Sequence, residues 1–155
     1  MTDSVQPDPS RPIASAPLYD LRGVLVGTLL GSLAGGVVLV YLNYLALGKA
    51  ELARSVAIWG SGLFLGLILI GSFTPGNLTV ALLSLVVQLV IAWFLTDRLQ
   101  GDAIRYHEAQ GGAMHGLGRA AAVGFLTGLA IFFLFLLVGM FFVALTGTVP
   151  APQPG

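Results

Sequence analysis

His107 and His115 are the only imidazoles of this chain, and with Asp102 and Glu108 they are its nearest approach to a metal or acid–base centre. Such chemistry needs ligands or proton carriers at fixed spacings. Here His107-Glu108 runs into Ala-Gln-Gly-Gly, so the HExxH pattern of zinc hydrolases is missing. Asp102, Arg105 and Glu108 instead have the i,i+3 spacing of ion pairs on a solvated helix surface. There is no cysteine, which removes thiolate ligands, disulfides and thiol redox chemistry. Gly111-Gly112 and Gly116-Leu117-Gly118 lack the preceding strand of a phosphate loop. The expectation is a protein that is not an enzyme and has no metal and no cofactor. A net charge of zero argues against a nucleic-acid partner.

Gln88 lies near the middle of an apolar segment, with Ser84 one helical turn before it. An uncharged amide in hydrocarbon is expected to hydrogen-bond across to another helix. The alternative is that Ser84 and Gln88 line the lumen of an oligomeric channel. No Asp, Glu, Lys, Arg or His lies inside any apolar segment, which removes the buried charge that proton-coupled transporters and pumps use. Asn43, Tyr41 and Tyr44, with Trp59 and Trp93, read as anchors at the membrane–water interface.

Glycine carries the clearest pattern. Gly23, Gly27, Gly31 and Gly35 recur at every fourth position. On a continuous helix they make a ridge without side chains, on which another backbone can approach closely. Gly62 and Gly66, or Gly124 and Gly128, offer partners within the chain; a second chain is the other possibility.

The elements that must position these residues follow from the charges. All fourteen fall in three places: the N-terminal tail as far as Arg22, Lys49 to Arg54, and Asp97 to Arg119. Between and after these clusters the sequence is uncharged and apolar, and an ionised group at the bilayer centre is costly. Crossing the hydrocarbon takes roughly 20 helical residues. The pattern predicts an all-α integral membrane protein with spans at about 23–47, 55–73, 78–96 and 117–145. The second and third are split at Thr74-Pro75-Gly76-Asn77, where turn chemistry interrupts the helix. Short connections predict two antiparallel hairpins. The stretch 97–116 is expected to be an amphipathic extension or an interfacial helix, stopped by Gly111-Gly112. Residues 18–146 form the membrane domain, and the proline-rich tails 1–17 and 147–155 are predicted to be disordered. With no basic residue before Arg11, the first span is expected to serve as the targeting signal.

Four spans would place the N-terminal tail, the Pro75 turn and the C-terminal tail on one side, with Arg11 and Arg22. The remaining connections would hold Lys49, Arg54, Arg98, Arg105 and Arg119. The positive-inside rule then predicts both termini outside.

Gln100, Ile104, His107 and Gly111-Gly112 have the spacing Q-x-x-x-I-x-x-H-x-x-x-G-G. This stretch resembles a loop before the last hydrophobic segment of small, uncharacterised bacterial multi-pass membrane proteins. The resemblance implies that these five residues act as one structural unit, and it implies no activity. The expected protein is a non-enzymatic accessory or assembly subunit of a bacterial cytoplasmic membrane. Its partners would be the lipid bilayer and a homo-oligomer or another membrane protein.

Overall fold

The computed structural model describes residues 16–74 and 76–147. Most of both predicted disordered tails, and Pro75, lie outside the described residues. Four helices follow one another: α1 Leu21–Ala46, α2 Ala50–Ser72, α3 Leu78–Ala109 and α4 Leu117–Thr146. Each is long and apolar enough to cross a membrane. Asp20 caps α1 by accepting from the Gly23 N–H at 2.7 Å, and Asn77 caps α3 by accepting from Val80 at 2.9 Å.

The expected single span at 23–47 is corrected by the course of α1. Its helical dihedrals fail at Gly31 (φ −116°, ψ 16°) and Ser32 (φ 57°, ψ −169°), and the chain turns back on itself. The contacts are those of an antiparallel hairpin. A Cβ on Gly35 would meet the Gly27 carbonyl, one on Gly36 the Thr28 hydroxyl, and one on Gly27 the Leu39 side chain. The Tyr19 N–H donates to Asn43 Oδ1 at 2.7 Å across 24 positions, which a straight helix would hold about 36 Å apart. All these pairs are centred on Gly31 to Leu33. A glycine–serine pair is a known place for a helix to give way, because glycine accepts dihedrals that other residues resist. Each limb is too short to cross: Leu21 to Leu30 rises about 15 Å, half of the roughly 30 Å of hydrocarbon.

The second correction concerns pairing. Each of α2, α3 and α4 packs on α1, and among the described residues none of those three packs on another. The predicted helix-two–helix-three neighbours share their turn and then splay. They leave a groove lined by Leu67, Ile70, Ala81 and Ser84 among others. The hairpin at the centre holds them apart, because its second limb occupies the place where α2 and α3 would otherwise meet.

Of the two courses expected for 97–116, the chain takes the extension: α3 runs unbroken to Ala109 and ends where Gly111 takes φ +71°. That left-handed turn is the conformation for which glycine carries no Cβ penalty.

Leu18, Tyr19, Val24, Leu33, Leu39, Val40, Tyr44 and Ala53 form the buried apolar centre, with Ala92, Ile104 and Ala120. It lies entirely in the half of the molecule that carries the charges. Beyond the hairpin apex, the remaining lengths of α2, α3 and α4 are largely exposed.

Candidate functional site

The polar interior gathers at two levels. The first lies at the charged end, around Asn43. Asn43 is 1% exposed and was expected to be an interfacial anchor. Its Nδ2 donates to the Tyr19 carbonyl at 2.8 Å and to Gln100 Oε1 at 3.0 Å. Its Oδ1 accepts from the Tyr19 N–H, so one side-chain amide satisfies both backbone groups of Tyr19. Gln100 in turn donates from Nε2 to the Val40 carbonyl at 2.8 Å. Tyr44 donates its hydroxyl to the Leu99 carbonyl at 3.0 Å. Every bond joins α1, or the segment before it, to another limb or to α3. Buried polar groups stabilise only when partnered, and these are.

The segment before α1 is held from its other side as well. The Leu18 N–H donates to Ala113 O at 3.2 Å, and the His115 N–H donates to Leu18 O at 2.8 Å. The Tyr19 and His115 rings meet at a tilt of 43° with centroids 4.4 Å apart. The segment 18–20 therefore lies beside the α3–α4 connection, where a four-span reading would place the two at opposite ends.

The sequence unit Gln100, Ile104, His107, Gly111 and Gly112 is brought together. Gln100, Ile104 and His107 lie on one buried face of α3. Gly111 ends the helix, and a Cβ on Gly112 would strike the His107 ring. His107 Nε2 lies 3.1 Å from Ala113 O, while its Nδ1 is buried without a partner. Among the described residues no three His, Asp or Glu groups are gathered as metal ligands. Glu108 is exposed, and Asp102 pairs with Arg105 at 2.8 Å on the surface. Arg105 also meets Asp97 at 3.1 Å, and the two carboxylates hold its guanidinium above the usual range. His115 is pushed down, by burial first and by Arg119 second.

The second level is the apex of the hairpin. Leu33 is the first residue of the second limb, so its N–H has no helical acceptor. Gln88 Oε1 takes it at 2.8 Å. Ser84 lies 3.5 Å from Gln88 Nε2 and faces the α2–α3 groove. Gln88 therefore caps a half-helix from a neighbouring element.

The glycines divide. A Cβ on Gly31 or Gly35 would meet Gly124, one on Gly124 would meet Gly27, and one on Gly128 would lie 2.8 Å from Leu30 O. Gly23 faces Ala120. Gly35 lies beyond the break, facing Gly27, so the four-residue repeat is not one continuous ridge. Around Gly62 and Gly66 nothing lies within 4 Å. The close approach of α2 is made by Gly60 against Val37, which the sequence reading missed because Gly60 stands in no glycine repeat. No family, no curated protein and no solved structure matches the chain.

Proposed function

We propose that the chain is a non-enzymatic accessory or assembly subunit of a bacterial cytoplasmic membrane, organised around a re-entrant hairpin. The observation that carries this reading is the inequality of its two halves. The charged half is packed, while the far lengths of α2, α3 and α4 stand apart with their apolar side chains uncovered. Gly27 and Gly31 are occupied by α4 and by the hairpin, so the surface left for a partner is these splayed lengths. A photo-reactive residue at Phe135 is expected to give an adduct of one defined protein mass in native membranes. Adducts to lipid alone would refute the assembly role.

The hairpin also changes the topology. With α1 entering and leaving by one side, Arg22, Lys49, Arg54, Arg98, Arg105 and Arg119 share that side, and the described residues of the other side carry no charge. Six against none is a far stronger bias than the four-span count, and under the positive-inside rule it supports a cytoplasmic charged face. The segment 18–20 then lies inside, and the end of α4 outside. The chain lacks cysteine, so single-cysteine variants can be labelled without background. An impermeant thiol reagent should reach Gly76→Cys in intact cells, and Glu108→Cys only after permeabilisation. The reverse pattern would invert the orientation.

A permeation role is the second reading. It is favoured by the half-helix ends at mid-membrane, which transporters use to bind ions. Against it, Gln88 is already bonded to Leu33. Flux into liposomes containing the purified chain tests it.

A further inference from the structure

Two cavities of opposite character meet at one residue, Thr96. The first, about 320 Å³, lies between the second limb of α1, α2 and α3, and is walled by Val37, Val56, Trp59, Gly60 and Leu95 among others. The second, about 410 Å³, opens at the charged face between the start of α1 and the end of α3. Asp20, Arg22, Asp97, Arg105 and Glu108 line it. Both volumes fall within the roughly 300–1,000 Å³ of small-molecule sites.

Thr96 lines both and is 1% exposed. Its hydroxyl has no hydrogen-bond partner. By contrast, Thr28, Ser55, Ser72, Thr127 and Thr146 each return their hydroxyl to the carbonyl four residues earlier. A buried hydroxyl left unbonded costs free energy unless something completes it.

We propose that the two cavities form a single site for a phospholipid with an amine headgroup, phosphatidylethanolamine in type. The order of the chemistry along the site matches the order along such a lipid. Carboxylates and guanidinium groups line the outer cleft, where a zwitterion carrying phosphate and ammonium finds a partner for each charge. Arg22 and Glu108 make no ion pair among the described residues and are free to provide them. Thr96 stands at the junction, where the ester carbonyl accepts its hydrogen bond. The apolar cavity takes the beginning of an acyl chain. The site rests on the reading that the charged face lies at a membrane surface, which the thiol labelling above tests separately.

The test uses the purified full chain in mixed micelles with equal phosphatidylethanolamine and phosphatidylglycerol, read by native mass spectrometry. The wild type is expected to retain one phosphatidylethanolamine in preference to phosphatidylglycerol. Thr96→Val keeps the shape and removes only the hydroxyl. It should lower retention by about fivefold, the worth of one ordinary hydrogen bond, with no loss of lipid-free melting temperature. Thr96→Ser should restore retention, and Glu108→Gln, which removes the carboxylate offered to the ammonium, should abolish the headgroup preference. Equal retention by Thr96→Val and wild type, or equal retention of the two lipids by the wild type, would overturn the proposal and leave only boundary lipid.

Discussion

At the scale of the residue, single polar groups decide where the backbone can be irregular. Gln88 is the clearest case. Broken helices at membrane depth survive only where the freed backbone groups are taken up by protein or water. Gln88→Leu removes the acceptor of the Leu33 N–H and should destabilise the fold by about 1–2 kcal/mol, as for a donor left unbonded. Chemical denaturation in one detergent measures this, and a neutral result would mean that the apex is solvated. Membrane-depth polarity made Gln88 legible in the sequence, and the type of bond it would make was legible too. Its target was not, because nothing in Leu33 marks it as the start of a half-helix. Asn43 was misread for a related reason: an amide at the end of a long apolar helix resembles an interfacial anchor until the chain folds Tyr19 onto it.

His115 belongs to the same scale. Its folded state favours the neutral ring, since burial and then Arg119 oppose protonation. The folded form therefore binds fewer protons than the unfolded one as the pH falls. Stability is intact above the ordinary imidazole value, about 6.5, and declines as the pH drops from there toward the lowered folded value. The melting temperature should fall between about pH 7 and 5, and less steeply in His115→Gln. Parallel profiles for the two proteins would remove His115 from the account.

At the scale of the element, a glycine repeat in sequence and a glycine contact in space are different things. Gly124 meets backbone atoms of Gly27, and backbone cannot rotate away from a methyl group. Gly124→Ala should therefore cost about 1–3 kcal/mol, as overpacking does. Gly66→Ala adds its methyl to open space and should be neutral or gain up to about 1 kcal/mol from helix propensity. Equal melting temperatures for the two variants would refute the close backbone approach of α1 and α4. The helices themselves were legible, because charge excluded from hydrocarbon marks most of their ends; α3 is the exception, running past Thr96 through the charged stretch to Ala109. The break was not. Gly31 continues the four-residue spacing as if the helix ran on, and 26 residues suit a full crossing. The only local sign is that glycine is followed by serine.

At the scale of the whole molecule, α1 is a centre that the other helices surround. The membrane class was legible because it depends on composition. The topology was not, because it turns on whether one apolar segment crosses or returns, and both courses use the same residues. Once the return is known, the basic residues among those described gather at one end of the molecule.

That the first helix packs most closely against the last has a consequence in time. Synthesis delivers α1 to the membrane long before Leu117, so Gly27 and Gly31 wait for Gly124 while α2 and α3 are inserted. Gln88 arrives earlier and can cap Leu33, yet the glycine face has no cover until α4 emerges. The hairpin is thus completed by the final stretch of the chain. A ribosome halted before α4 holds a precursor whose earliest segment is still unfinished.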